Sequence, residues 1–423
     1  MIRRHVMPKT SPKSTAKPAS PPKPAPPSGP AKPRAKAPPA APVPAGPPLD
    51  ALVLGGHPAA YLAATLLHVG DGKAKPLRVV HACIPGEHDP DRLVLVNPAV
   101  FGLHPLLEPV RKRLDLTPVY GVQFVSDDPA VRSEHRAKAA VVYAASTKAL
   151  RAEFARMAEQ AGVETTASPK RLEVQGVDEH GLHVTLNRQT LRPRALVLGG
   201  RLPDDQQKRL GVPDAWGPEV VFRYTFVRLT GKRWADLGPK PVAPMSLNLR
   251  ETLCWGWLLP GPAYNQIAVA QPVETVGKLP PADLLAHWAR VLHGAGNLPR
   301  ADLPTPEAES LDLPLAGALA HEGVANRTLL VGPAGGFYCA SGEDLYPNCW
   351  SAVFAAAALK KALKETHLQD ALNPYRSQWR TTLGQYLRGP QQDLRFLLPL
   401  IYRNAVMTSR LAESILLGKS VVR

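Results

Sequence analysis

Long apolar runs and metal-like cysteine patterns are both missing from this 423-residue sequence. No apolar stretch reaches the roughly 20 residues that a membrane-spanning helix needs, so no transmembrane segment is expected. The N-terminal basic residues have no apolar core behind them, so no secretory leader is expected either. The four cysteines lack CxxC spacing, which predicts reduced thiols, a cytoplasmic protein and no metal site. They are Cys83, Cys254, Cys339 and Cys349.

Acidic residues are absent from the first 49 positions, which hold nine Lys and Arg among closely spaced prolines. These nine charges belong to a net charge of +16, so the rest of the chain carries +7. A proline-rich segment of this kind buries little apolar surface and does not form helix, so residues 1–48 are predicted to be a disordered basic tail. Two roles remain open for the tail: a solubilising extension, or weak contact with an anionic surface such as nucleic acid or lipid.

The first ordered segment predicts an α/β fold. A short apolar strand at 49–54, an Ala- and Leu-rich helix at 58–69 and a second strand at 77–83 are typical of a doubly wound parallel sheet. Hydrophobic residues make up 44% of the sequence, which is enough for two interleaved domains.

A β-rich region follows in the second half of the chain. Alternating apolar residues predict strands at 221–229, 246–253 and 266–273. The last fifty residues have a helical pattern. The chain is therefore expected to combine a doubly wound domain, a β-rich domain and C-terminal helices.

The turn after the first strand has the position of a dinucleotide-binding loop. Such a loop uses one glycine for the tight turn, a second for close approach of a pyrophosphate and a third for helix–strand packing. The segment Gly55-Gly56-His57-Pro58-Ala59-Ala60 keeps the first glycine, and places His57 and Ala60 at the second and third positions. An imidazolium at position 57 could contact a phosphate. Positions 81–83, at the end of the second strand, lack the acid that commonly holds the adenosine ribose.

A second glycine-rich segment carries a family resemblance. Gly332-Pro333-Ala334-Gly335-Gly336-Phe337, followed by Ser341-Gly342-Glu343, resembles the flavin-contacting segment of geranylgeranyl-reductase-like and halogenase-like FAD-dependent oxidoreductases. These belong to the glutathione-reductase-type FAD/NAD(P)-binding superfamily. Pro333 stands where the family has an aspartate that accepts hydrogen bonds from the ribityl hydroxyls. The resemblance implies FAD as cofactor, with contacts from Gly55, Gly56, His57, Pro58, Ala59, Gly332, Ala334, Gly335, Gly336, Phe337, Gly342 and Glu343.

The resemblance also implies a domain organisation. We expect a discontinuous Rossmann-like FAD-binding domain (residues 49–215 and 311–372), a β-rich substrate domain (216–310) and C-terminal helices (373–423) behind the tail of residues 1–48.

The segment Trp255-Gly256-Trp257-Leu258-Leu259-Pro260 predicts a substrate site. It resembles the aromatic-x-Trp-x-apolar-Pro motif that lines the substrate cavity beside the flavin in the same families. Alternation along a strand places Trp255, Trp257 and Leu259 on one face, where, with Pro260, they are expected to form an apolar wall for a hydrophobic ligand. The alternative is that both tryptophans are ordinary core residues between sheet and helix.

Two hypotheses for function follow. The first is a geranylgeranyl-reductase-like FAD-dependent oxidoreductase that performs hydride chemistry at flavin N5 on a hydrophobic substrate. A reductant, NAD(P)H or another, would bind transiently. The second is a non-catalytic descendant of the flavoprotein fold that has lost FAD and binds a ligand or a protein. Four changes favour the second hypothesis: His57, the missing acid at the end of the second strand, Pro333, and Gly200, which stands where the family has an acid next to FAD. The surviving glycines and tryptophans favour the first. No catalytic residue is predicted.

Overall fold

The strands in the described residues form four sheets. The computed structural model describes residues 49–70, 76–87, 89–212, 221–231, 237–251, 254–303, 308–314, 323–337, 345–384 and 394–419, all within the unit Val43–Arg423. The strands are β1 (Leu49–Leu54), β2 (Val79–Ala82), β3 (Leu93–Val96), β4 (Thr117–Val119), β5 (Gly121–Val125), β6 (Arg132–Arg136), β7 (Val142–Ser146), β8 (Glu164–Thr166), β9 (Leu172–Val177), β10 (Leu182–Leu186), β11 (Gln189–Leu191), β12 (Pro193–Leu198), β13 (Val221–Leu229), β14 (Ala243–Ser246), β15 (Trp255–Leu259), β16 (Asn265–Pro272), β17 (Glu309–Pro314), β18 (Val324–Ala325) and β19 (Thr328–Leu330). The helices are α1 (Pro58–Val69), α2 (Leu107–Arg113), α3 (Thr147–Gln160), α4 (Asp204–Leu210), α5 (Pro281–Gly294), α6 (Leu345–Ala362), α7 (Leu368–Leu372), α8 (Pro374–Leu383), α9 (Leu394–Arg403) and α10 (Ala405–Leu417).

The first sheet is the doubly wound one, with strand order β18-β19-β12-β1-β2-β8. Strands β19, β12, β1, β2 and β8 run parallel, and β18 is antiparallel. On β1, Ala51 and Val53 pack with α1, whereas Leu52 and Leu54 pack with the small sheet of β9, β10 and β11. Both faces of β1 are covered, which explains why its sequence from Ala51 to Leu54 is continuously apolar rather than alternating.

The second large sheet has the strand order β17-β13-β16-β15-β14-β5-β6. One face packs against α5, whose Trp288 is fully buried. The other face packs against α9, α10 and the small sheet β3-β7-β4. This sheet therefore also has two covered faces, and β15 lies near its centre with every residue buried.

The fold class predicted from the sequence is confirmed, as an α/β fold with a parallel sheet, a β-rich sheet and C-terminal helices. The strand expected at 246–253 is wrong: the strand ends at Ser246 and a 3-10 turn follows at Leu249–Glu251. Arg250 adopts a left-handed conformation (φ 51°, ψ 43°), and its amide donates to Asp127 Oδ2 at 2.7 Å. A left-handed residue cannot continue a strand, so the chain turns here.

Some predictions lie outside the described residues: the tail of 1–48 and the cofactor contacts at Gly342 and Glu343. No helix in the described part of the chain is both long and apolar enough to cross a membrane. The same residues include no group of three His, Cys, Asp or Glu side chains arranged to hold a metal ion.

Candidate functional site

The turn between β1 and α1 is built around Gly55. Its φ is +129°, and a Cβ there would lie 2.7 Å from the backbone of Gly199 and Gly200. The Gly55 amide donates to the Ala82 carbonyl at 2.9 Å, and the Gly199 amide donates to the Leu54 carbonyl at 2.6 Å. Only glycine fits at position 55, because the ends of three parallel strands converge on it.

Ala60 replaces the third glycine of the loop without separating the helix from the sheet. A Cβ at Gly199 would lie 2.9 Å from the Ala60 Cβ, so the absence of a side chain at Gly199 leaves room for the Ala60 methyl. The close helix–strand contact is therefore kept, with the glycine moved to the facing strand end.

His57 caps the first turn of α1. It has extended backbone angles (φ −76°, ψ 148°), and its Nδ1 accepts a hydrogen bond from the Ala59 amide at 3.1 Å. Burial, together with the nearby guanidinium groups of Arg151 and Arg92, lowers the pKa of His57 to about 3, against a smaller opposing effect of Asp89. The imidazole is neutral, which agrees with a lone pair on Nδ1 that accepts from a backbone amide.

Glu87 occupies the space beside the turn. It lies five residues beyond β2, and its Oε2 accepts a hydrogen bond from the Gly56 amide at 2.8 Å. A Cβ at Gly200 would lie 2.5 Å from Glu87 Oε1, so the carboxylate lies between the two glycine turns. The sequence at positions 81–83 does not indicate this acid. Gly86 (φ +76°) turns the loop, and Glu87 then reaches back to the Gly56 amide.

His81 contacts the turn through a hydrogen bond to Gly55. Its side chain is fully buried, and its Nε2 donates to the Gly55 carbonyl at 2.9 Å. Burial lowers the pKa of His81 to about 4, against the smaller raising effect of that hydrogen bond. The Tyr61 ring packs on the imidazole with ring centroids 4.4 Å apart. His81 is therefore a neutral core histidine that fixes the conformation of the turn.

A cleft of about 1160 Å³ opens beside these residues. Its lining includes Gly56, His57, Glu87, Arg92, Arg151 and Pro333. Asp89 forms ion pairs with both Arg92 and Arg151, which places two guanidinium groups around one carboxylate. The Nε of Arg151 is buried and has no hydrogen-bond partner among the described residues.

The far rim of the cleft is formed by the seven-stranded sheet. Arg223 on β13 and Asp312 on β17 line it and form an ion pair, with Arg223 Nη2 donating to Asp312 Oδ2 at 3.0 Å. The cleft therefore extends from the turn on the parallel sheet to the edge of the β-rich sheet, and its lining includes both acids and bases.

The second glycine-rich segment packs directly on the first. Gly332–Gly335 forms a 3-10 turn, and a Cβ at Gly332 would lie 3.1 Å from Ala59 Cβ and 3.4 Å from His57 Nδ1. The Gly332 amide donates to Ser351 Oγ at 3.0 Å. The structure thus brings the two predicted cofactor segments together, with His57 and Gly332 in contact.

The end of this segment turns away from the cleft. A Cβ at Gly335 would lie 2.3 Å from the Phe337 ring, which is buried and meets Trp379 edge to face with ring centroids 5.5 Å apart. Ala334 is buried in the apolar cluster that also contains Leu330. Of the predicted cofactor residues, Gly56 and His57 line the cleft, whereas Pro58, Ala59, Ala334, Gly335 and Phe337 are buried behind it.

The Trp255–Pro260 segment lies elsewhere, on β15. Trp255, Trp257 and Leu259 share one face, as predicted, and pack in one cluster with Ile401 and Leu411 of the C-terminal helices. The two indole ring centroids are 5.7 Å apart, and neither indole N–H has a hydrogen-bond partner in the described part of the chain. The apolar wall therefore exists, covered by helix, with two buried donors left without a partner.

FAD is the cofactor that the resemblance implies, and the residues of the cleft fit it in part. The volume, the close backbone at Gly55 and the Glu87 carboxylate beside the end of β2 suit the adenosine half of FAD. His57 and Pro333 line the cleft without filling it. Pro333 offers neither an acceptor side chain nor an N–H, so the ribityl contact of the family is lost.

No protein-family model and no curated protein matches the chain. Solved structures do resemble it. A geranylgeranyl bacteriochlorophyll reductase-like protein from Thermoplasma acidophilum superposes with a TM-score of 0.61 at 12% identity, covering 89% of this chain and 93% of that one. The flavin-dependent brominase Bmp2 gives a TM-score of 0.62 at 15% identity, covering 88% and 92%. A point mutant of the halogenase PltM, solved with FAD, gives 0.59 at 14% identity, covering 86% and 76%. The chain thus has the fold of FAD-dependent reductases and halogenases.

Proposed function

We propose that this protein is an FAD-dependent oxidoreductase that acts on a hydrophobic substrate. The observation that carries the proposal is the open cleft of about 1160 Å³ beside the Gly55 turn. The cleft is open even though the side chains of His57 and Pro333 are part of its lining. The cleft lies at the carboxyl ends of the parallel strands, where a doubly wound fold binds its dinucleotide. The Gly55–Gly56 turn and the Gly332 turn would form its floor.

Glu87 is the residue that we assign to the adenosine ribose. Its Oε2 is already fixed by the Gly56 amide, so Oε1 is left to accept hydrogen bonds from ribose hydroxyls. Arg151 carries a buried Nε without a partner among the described residues and faces the same cleft, so it would donate to an anionic group of the cofactor. When bound, the isoalloxazine would supply hydride chemistry at N5.

The substrate would be taken up at the tryptophan wall. Trp255, Trp257 and Leu259 form a continuous apolar face, and the indole N–H groups, which have no partner among the described residues, would donate to a polar end of the substrate. An isoprenoid-like chain suits this surface best, with Pro260 at the end of the strand. The C-terminal helices that cover the wall would have to move to admit it. NAD(P)H or another reductant would bind transiently.

A second candidate function is a flavoprotein fold that has lost FAD and binds another ligand. It is favoured because backbone amides of the turn already donate to side chains of the protein. The Gly56 amide donates to Glu87, and the Ala59 amide donates to His57. Pro333 adds to this, because the family's aspartate is missing there.

Titration with FAD distinguishes the two candidates. Tryptophan fluorescence and thermal shift of the full chain would be followed as FAD is added, in the wild type and in Glu87→Ala. Loss of charged hydrogen bonds to the ribose should weaken FAD binding by about tenfold or more. Glu108→Ala is the matched control, because Glu108 lies exposed on α2 and its ion pairs are with Arg111 and Lys112 of the same helix. No response to FAD in the wild type would refute the oxidoreductase proposal and leave the ligand-binding scaffold.

A further inference from the structure

The backbone amides of the first turn of α1, at positions 59–61, all donate to His57. Pro58 lacks an N–H, and the Ala59 amide donates to His57 Nδ1. The amides of Ala60 and Tyr61 donate to the His57 carbonyl at 2.9 and 3.4 Å. In a helix that binds phosphate, donors of this first turn point at the anion. Here His57 uses them all.

The surroundings of His57 nevertheless suit an anion. Arg92 and Arg151 line the cleft with His57, and Arg151 Nε is buried without a partner among the described residues. On one side the imidazole lies close to Gly332, where an added Cβ would be 3.4 Å from His57 Nδ1. The cleft beside the ring therefore carries two guanidinium groups, both of which form ion pairs with Asp89.

We propose that His57 is a latch on the dinucleotide site: its ring closes the end of α1, and a pyrophosphate must displace the ring from the Ala59 amide before binding. This inference rests on the proposed function. Displacement breaks one hydrogen bond at each binding event, so the nucleotide is an exchangeable ligand rather than a permanently held one. Removal of the ring leaves the Ala59 amide open to the anion.

His57→Gly tests the latch. Glycine is well tolerated at a helix N-cap, and the His57 backbone angles suit any residue. The matched control is His104→Gly: His104 Nδ1 accepts from the Leu106 amide at 3.3 Å, the same bond to the second residue on, in a turn before α2 and outside the lining of the cleft. Circular dichroism and thermal unfolding would establish that both variants fold.

Calorimetric titrations of the full chain would use ADP, FAD and riboflavin. His57→Gly should bind ADP and FAD about tenfold more tightly than the wild type, with slower release, because one charge-assisted hydrogen bond is gained. The affinity for riboflavin, which has no phosphate, should be unchanged in both variants. His104→Gly should bind ADP and FAD with the affinity of the wild type. Equal or weaker binding of ADP by His57→Gly, including no binding by either protein, would overturn the latch. FAD binding by the wild type decides the proposed function separately.

Discussion

Replacing Gly55 by alanine should destabilise the protein by about 2–6 kcal/mol, whether or not a cofactor is bound. A non-glycine residue at φ +129° costs about 1–3 kcal/mol in backbone strain. The added Cβ would also lie 2.7 Å from backbone atoms of Gly199 and Gly200. These atoms cannot retreat freely, because the Gly199 amide is bonded to Leu54, and such overpacking adds about 1–3 kcal/mol.

The neighbouring glycine provides the control. Gly56 has no left-handed φ, and a Cβ there would meet first the movable Glu87 Oε2, at 3.3 Å. Gly56→Ala should therefore cost less than about 1 kcal/mol. Urea unfolding of both variants, followed by circular dichroism without added FAD, measures the difference. Equal stability of the two variants would refute the description of this turn, since only Gly55 is enclosed by backbone.

Three further predictions concern stability. The pKa of His81 is lowered to about 4 from 6.5, so its neutral form stabilises the fold fully above pH 6.5, and that stability is lost as the pH falls toward 4. Relative to His81→Gln, the wild type should lose about 2 kcal/mol between pH 7 and pH 5 in urea unfolding. Gln266→Leu should cost about 2–4 kcal/mol at constant pH, because Gln266 bonds both the amide and the carbonyl of Leu93 in the interior. Trp288→Phe should cost about 2–3 kcal/mol in thermal unfolding, because it removes the hydrogen bond to the Trp257 carbonyl and opens a cavity. Losses under about 0.5 kcal/mol, the range of ordinary surface substitutions, would contradict each assignment.

Much of the fold was predictable because local signals agreed with tertiary packing. The bounds of α1 follow from Pro58 at its start and Gly70 (φ +71°) after its end. The face shared by Trp255 and Trp257 follows from strand alternation alone. These signals depend on neighbours in sequence, so they are visible without the structure.

The candidate site was less predictable because its contacts join distant segments. Glu87 reaches Gly56 across 31 positions, and no pattern at the end of β2 indicates it. From the sequence, His57 could be an imidazolium in contact with a phosphate, whereas its burial lowers its pKa and makes it a neutral cap. Which residues replace a missing family contact depends on the path of the loop, which sequence comparison alone does not supply.

The visible absorption spectrum of the purified full-length protein, with identification of any released chromophore, tests the central claim most directly. We expect a two-banded flavin spectrum after addition of FAD, and dialysis should remove the flavin more readily from the wild type than from His57→Gly. A colourless protein that gains no bound flavin and no thermal shift with excess FAD would contradict it.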